Sequence, residues 1–552
     1  MNQPRTRTLL AGVFLASWSV FMALGAGFIR SAGPTYDEPL HLASGYSVWA
    51  GAIESLNYKN HPPFGEAWDT IPLVFLKPAT FFSSAQWMDR LLYHYADLFL
   101  YKNVVPADRL MNDARLWSLA SWGALLGFAI LEWSLRLGGP EAMVFAGIFF
   151  AFCPPLVSNA ALVTTDAPAA VFYFLTFWAL SFSPRRFWHW ILAGVFAGLG
   201  LASKFSLIAV PPLVVVGVLT QGRLQKNKKG VPFLGLAAMA GAALLCLWAA
   251  YRFASLGQYW AGLSDTLFRL GRGRPTFLLG HYSTTGWWLY FPAALLVKTP
   301  IPELVLSAFG VIAWFRRPSL ERFWVLMPAA AYFCAAEFSK TQIGCRYILP
   351  VYPFLLVAAA WAAAWLWRRA PAVRFLVAGF CLWLAVGVIR AYPYYLSYFN
   401  EIAGGPSSGY RWLADSNVDW GQALPALAGY LRARGNPPVL LSYFGSADPA
   451  YYGIRYIPLG FITNVERDGD GVRPIQIKQL LFAISATNLD GVYYQDHVVF
   501  SWLKRRKPVF VAGHSIFLYD LSSDAPGRAR LGRVLAGVNG GRLGRALDLN
   551  HG

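Results

Sequence analysis

The sequence predicts a polytopic α-helical membrane protein of about eleven transmembrane helices, followed by a C-terminal extracytoplasmic α/β domain. Three observations lead there: the composition, the recurrence of apolar runs about 20 residues long, and the one-sided distribution of Arg and Lys between those runs. Of the 552 residues, 56% are hydrophobic and 14% charged, and the mean hydropathy is +0.41. Soluble domains carry about 25% charged residues, so a soluble enzyme is excluded. The 40 Phe, 27 Tyr and 23 Trp exclude a disordered chain. The formal charge of +19 is first a topology signal in such a chain, and no nucleic-acid partner follows from it. The five cysteines (Cys153, Cys246, Cys334, Cys345, Cys381) lie in or beside apolar stretches and form no CxxC pair. None follows Cys381, so the C-terminal region has no disulfide framework.

The first apolar run lacks a small-residue cleavage site before Thr35-Tyr36-Asp37-Glu38, so it reads as a retained span and not a signal peptide. The spans then fall at 8–30, 116–136, 141–160, 167–183, 187–203, 205–220, 231–253, 300–315, 322–338, 347–367 and 371–390. With that count, Arg5/Arg7, Arg136, Arg185/Arg186, Arg223/Lys226/Lys228/Lys229, Arg316/Arg317/Arg322 and Arg368/Arg369 all share one side. That side, which holds the N-terminus, is therefore cytoplasmic. Residues 31–115, 160–166, 254–299, 339–346 and everything after 391 lie opposite, and 287–297 is an ambiguous short apolar piece.

Three units follow: a transmembrane module over 1–391, an extracytoplasmic α/β domain over 392–522, and a mobile, Gly- and Arg-rich tail over 523–552. Within the first, residues 31–115 form a loop too long to be plain, and their mixed aromatic and charged character suggests amphipathic helices in the membrane surface. In the second, a helix is expected over 419–434, capped by Asp419 and stopped by Gly435. Strands are expected at Val439–Phe444, Leu480–Ser485 and Pro508–Tyr519, the last broken near Gly513-His514.

Ionisable groups at membrane depth are costly, and each is a candidate for function. Asp37 and Glu38 follow the first span, His61 stands in Asn-His-Pro-Pro, and Asp166 opens the fourth span. Arg115, Lys204, Lys298 and Arg346 each lie near an extracytoplasmic span end. Singly, the acids can be helix caps, His61-Pro62-Pro63 a rigid turn, and the cations snorkelling side chains. Gathered at one boundary, they suit reaction at a lipid-linked phosphate, with cations on the leaving group and a carboxylate taking the proton of an attacking hydroxyl.

The order Asp37-Glu38, His61-Pro62-Pro63-Phe64, Ala114-Arg115-Leu116, Thr165-Asp166-Ala167-Pro168 and Arg346-Tyr347 resembles the GT-C membrane glycosyltransferases. The likeness is nearest to protein O-mannosyltransferases and to the aminoarabinose transferases that modify lipid A. Gly286 to Pro300, Tyr398-Phe399-Asn400-Glu401 and Asp415-Ser416-Asn417-Val418-Asp419-Trp420-Gly421 look like a bacterial branch of phospholipid-carrier-dependent glycosyltransferases. The resemblance, which runs from about residue 8 to 520, implies the GT-C fold in a bacterial inner membrane. It also implies inverting transfer from a polyprenyl-phosphate sugar to an acceptor outside the cytoplasm.

By position, the likeness makes Asp37 the catalytic carboxylate, with Glu38 its less favoured neighbour, and Asp166 the second acidic residue of the cavity. Arg346, Lys204, Arg115, His61 and Lys298 are the candidate donor-phosphate contacts, His61 standing where aminoarabinose transferases carry a lysine. No cofactor is required. A divalent metal on Asp37, His61 and Asp166 stays open, although carboxylate and imidazole alone do not define such a site. The acceptor (protein, lipid A, glycan or another glycolipid) is not legible. Two rivals remain: a lipid-carrier transporter or flippase, disfavoured by the lack of repeats and midplane charge, and a non-catalytic glycolipid-binding assembly protein.

Overall fold

The computed structural model describes residues 3–52, 54–182, 186–224, 232–459 and 479–536. Among the described residues, helix occupies most of each expected span, with a break at Phe152-Cys153 inside the expected 141–160 span. Five helices among the described residues are long and apolar enough to cross a membrane: Arg5–Ser31, Ala107–Ala151, Phe233–Ala250, Cys345–Trp367 and Pro371–Arg390. Asp166–Leu180, Trp188–Leu201 and Phe205–Gln221 are shorter apolar helices. The expected break between 136 and 141 is a kink inside Ala107–Ala151, where Gly139 adopts φ +79° ahead of Pro140. Proline disfavours helical geometry in the residue before it, and glycine reaches positive φ at little cost. The ambiguous piece after 287 becomes a nine-residue helix, Tyr290–Lys298, too short to span.

Residues 31–115 fold as expected into short helices, but not as surface ones throughout. Helix Glu38–Trp49 is buried from Glu38 to Ser47. It packs with Tyr95, Phe99, Leu110 and Met111 into a core of its own, so it is not a membrane-surface helix. Helix Pro63–Asp69 lies against it at Gly45, where a Cβ would stand 2.1 Å from the Glu66 carbonyl oxygen.

The C-terminal region holds a five-stranded sheet in the order Tyr456–Pro458, Val439–Ser442, Leu481–Ser485, Ile516–Asp520, Phe510–Ala512. Val439–Ser442 runs parallel to both its neighbours, and the last two strands form the antiparallel hairpin implied by the break at Gly513-His514. Side chains alternate with period two. Val439, Leu441, Leu481, Ala483, Ile516 and Leu518 face helix Leu424–Arg432. Leu440, Phe482, Ile484 and Phe517 face Phe500, Leu531 and Leu535.

Two expectations fail here. The helix starts at Leu424 and not at Asp419, because the Asp419 carboxylate accepts from the Thr487 amide at 3.2 Å and so ties the loop to the sheet. The supposed mobile tail begins with a helix, Ala525–Ala536, whose Leu531 and Leu535 are fully buried against the sheet. The remainder of that tail lies outside the described residues.

One buried ion pair joins the first span to the second. Glu38 and Arg115, both fully buried, meet with Nε at 2.8 Å from Oε1. Glu38 also accepts from the amides of Thr35 (2.8 Å) and Val163 (3.0 Å). Arg115 donates to the carbonyls of Ala32 (2.8 Å) and Gly33 (2.9 Å). Removing one partner of a buried pair costs about 3–5 kcal/mol. Arg115→Ala is therefore expected to lower the thermal unfolding temperature of the detergent-solubilised protein sharply. A variant unfolding with the wild type would contradict this structural role.

Candidate active site

A cavity of about 560 Å³ opens where the first span, the start of helix Asp166–Leu180, the extended residue Lys204 and the turn Cys345–Val351 end together. The expected site residues divide around it. Asp37, His61, Lys204 and Arg346 line it. Asp166 lies directly behind, 2% exposed. Glu38, Arg115 and Lys298 are not on its wall.

Asp37 occupies the cap position of helix Glu38–Trp49, yet its carboxylate caps nothing. It accepts instead from the Tyr93 hydroxyl at 3.1 Å and faces the Arg346 guanidinium at 3.7 Å. At 26% side-chain exposure it is reachable from the cavity. One residue on, Glu38 turns into the protein and meets Arg115, because successive side chains at a helix start diverge by about 100°.

Asp166 opens its helix but does not cap it. One carboxylate oxygen takes the Lys204 ammonium, and the other takes an Arg346 nitrogen at 3.3 Å. Arg346 thus stands between Asp37 and Asp166, and its Nε donates to the Ser416 hydroxyl at 3.1 Å. Its planar guanidinium also lies 4.0 Å from the Trp420 ring centre, a stacking that lysine could not reproduce. Lys204 rests 5.3 Å from the Tyr347 ring.

The segment Asp415 to Gly421 builds this wall. Asp415 takes φ +55°, which acidic residues tolerate better than most. Asn417 receives the Cys345 amide at 2.8 Å and so fixes the residue before Arg346. The same segment explains Lys298, the expected phosphate contact that the structure removes from the site. Its ammonium donates to the carbonyls of Leu396 (2.9 Å) and Asn417 (2.6 Å) and packs 4.3 Å from the Phe399 ring. Burial lowers its pKa to about 8. Arg115 is likewise no phosphate contact, since its nitrogens are spent on Glu38 and two carbonyls.

His61 reaches the cavity from its Pro-Pro turn and shares a hydrogen bond with the Thr165 hydroxyl at 3.2 Å. Burial, then His41 and Lys204, push its pKa well below the usual imidazole value, so it stands neutral. The Asp37, His61, Asp166 metal set does not assemble, because cations already occupy both Asp166 oxygens. Among the described residues no three His, Cys, Asp or Glu side chains gather as ligands.

The sequence reading missed His41 and Glu66. His41 lines the cavity one helical turn after Asp37, and its Nδ1 lies 2.8 Å from Glu66 Oε1. The Asp37-x-x-x-His41 spacing was the available signal, since such residues share a helix face.

The chain is similar to known proteins in three respects. Residues 113–250 match the family model of dolichyl-phosphate-mannose-protein mannosyltransferase. Over 220 residues the chain is 28% identical to the undecaprenyl phosphate-α-4-amino-4-deoxy-L-arabinose arabinosyl transferase of Pectobacterium carotovorum, covering 39% of this chain and 37% of that protein. The chain thus spans little more than a third of that relative's length. Among solved structures, it resembles ArnT of Cupriavidus metallidurans bound to undecaprenyl phosphate (TM-score 0.49, 13% identity, 94% of this chain and 98% of that one). It also resembles the oligosaccharyltransferase of Archaeoglobus fulgidus (TM-score 0.47, 11% identity, 77% of this chain and 58% of that one). The family match and the Pectobacterium relative fall within the group of transferases that the sequence motifs resemble.

Proposed function

We propose that the chain is an inverting glycosyltransferase that moves a sugar from a polyprenyl-phosphate donor to an acceptor at the extracytoplasmic face of the bacterial inner membrane. The observation that carries this reading is the pairing of a reachable carboxylate, Asp37, with the Arg346 guanidinium 3.7 Å away. Lys204 lies alongside on the same cavity wall, at a common end of the spans. The names of the matched family and of the Pectobacterium relative, both transferases of lipid-phosphate-linked sugars, support the same donor class.

In this reading the donor phosphate settles against Arg346 and Lys204, where water is scarce and charge interactions are strong. The acceptor's oxygen or nitrogen bonds to the anomeric carbon as the bond from that carbon to the phosphate oxygen breaks. The acceptor's proton passes to Asp37, and the electron pair of the broken bond leaves on polyprenyl phosphate. A phosphate is a stable leaving anion, so no general acid is needed. Attack opposite the leaving group inverts the anomeric centre. Asp166 touches neither reactant; it holds the two cations in place and is a positioning residue. His61, being neutral, serves as a hydrogen-bond partner and not as a phosphate cation.

Protein, lipid A, glycan and glycolipid all remain candidate acceptors. A flippase is the weaker reading because Asp37, Lys204 and Arg346 sit at span ends and not at a midplane substrate site.

Two outcomes follow. Asp37→Asn keeps the shape of the residue but cannot accept the proton. It should fold and bind donor while losing roughly 10²-fold or more in turnover with a polyprenyl-phosphate sugar. A fully active Asp37→Asn enzyme would remove Asp37 from the role. For orientation, an alkaline-phosphatase reporter fused to the C-terminal end of the chain, which keeps helix Ala525–Ala536 in place, should be active outside the cytoplasm. A silent fusion, with the protein present in the membrane, would put the cavity on the wrong face for this chemistry.

A further inference from the structure

Asp37 and His41 lie on one face of helix Glu38–Trp49, and both line the cavity. Behind His41 stands Glu66, 1% exposed. Its carboxylate accepts from the Ser44 hydroxyl (2.5 Å) and the Asn57 amide (2.8 Å) and lies 2.8 Å from His41 Nδ1. Among the described residues, the Glu66 carboxylate has no lysine or arginine partner, and His41 is the charge that answers it. A buried carboxylate left without a cation is expensive, so the pair is built to hold His41 as an imidazolium. The close approach at Gly45 is what lets Glu66, 25 residues further along the chain, reach it.

The remaining surroundings agree with that charge. Asp37 on the same helix and Asp166 at the facing helix start favour it. The Glu38–Arg115 pair is neutral as a unit, and Tyr93 is committed to Asp37. The His61 ring, centred 5.0 Å from that of His41, stays neutral between His41 and the Lys204 and Arg346 cations. Burial opposes the charge on His41, and the Glu66 hydrogen bond and charge outweigh it, so its pKa is raised. Since Nδ1 is taken by Glu66, Nε2–H is the donor left for the cavity.

We propose that His41, backed by Glu66, is a further cationic contact for the donor's phosphate, beside the Lys and Arg side chains that line the cavity, so that donor affinity follows the protonation of this histidine. The inference rests on the donor class proposed above. It deepens that reading by placing the charge of the first extracytoplasmic loop on His41 and not on His61. The sign is fixed: a raised imidazole pKa keeps the contact below that pKa and loses it as pH rises through it. A charge-assisted hydrogen bond corresponds to about tenfold or more in affinity.

The test is the affinity of the purified full-length protein for undecaprenyl phosphate across pH, in wild type, Glu66→Gln, His41→Gln and Arg346→Ala. The second ionisation of the phosphate, near pH 6, is common to all four and cancels in the comparison. Glu66→Gln keeps shape but removes the charge that supports His41, so its loss of affinity should begin at lower pH than in wild type. Lowering the pH should restore its binding, which a merely structural defect would not allow. His41→Gln should bind about tenfold or more weakly, with only the ligand's own pH dependence. Wild-type pH profiles in both variants would overturn the inference while Arg346→Ala, still weakened, upholds the donor reading. No binding by wild type, or full affinity in Arg346→Ala, would overturn the donor reading and this inference together.

Discussion

Two cations held in a nearly dry place need an anion, and Asp166 supplies it. Its carboxylate sits between Lys204 and Arg346 with 1% side-chain exposure, while each cation keeps 13–14% toward the cavity. Without that carboxylate, Lys204 and Arg346 would repel each other and turn toward water. With it, three separate parts of the chain must end at one point. The arrangement leaves positive charge facing the cavity and negative charge behind it, the polarity that an incoming phosphate requires. Asp37, on the opposite side of Arg346, keeps 26% side-chain exposure and so stays within reach of a substrate.

The other contacts serve this charge arrangement. Trp420 and Ser416 fix the Arg346 guanidinium from the C-terminal side, and Asn417 fixes the backbone just before it. The amides of Gly33 and Tyr36 bond to the carbonyls of Gln422 and Trp420 at 2.8 and 2.7 Å. The loop carrying Asp37 is thereby stitched to the loop carrying Trp420. The C-terminal region, through Asp415, Trp420, Phe444 and Tyr493, is thus part of the cavity wall. Glu38 and Arg115 set the height of Asp37 by clamping the end of the first span.

Much of this was legible because bilayer thickness dictates span length and the cost of charge in lipid marks out candidate residues. The spans and the group Asp37, Asp166, Lys204 and Arg346 follow from those two constraints, and the strands at Val439 and Leu481 from short β-branched and aromatic runs between turn residues. What was not legible depends on partners far away in sequence. Arg115 looked like a cation at a span end, and nothing local shows that Glu38, 77 residues earlier, consumes it. Lys298 looked the same, but its partners are backbone carbonyls of Leu396 and Asn417, which carry no sequence signature. His41 and Glu66 were passed over because a lone histidine and a lone glutamate in a loop attract no notice until a helix–helix contact joins them. The helix after Asp524 was hidden by its Gly- and Arg-rich flanks, and only Leu531 and Leu535 hinted at a buried face.

Inverting transfer requires the acceptor, with Asp37 as its base, to attack the anomeric carbon from the face opposite the phosphate held by Arg346 and Lys204. The stereochemistry of transfer tests that claim most directly. Purified protein given a polyprenyl-phosphate sugar of defined anomeric configuration and a suitable acceptor should release polyprenyl phosphate and yield product of the opposite configuration, read by NMR of the anomeric proton. Retained configuration would mean a glycosyl–enzyme intermediate for which Asp37 would have to be nucleophile and not base, and the account would be wrong.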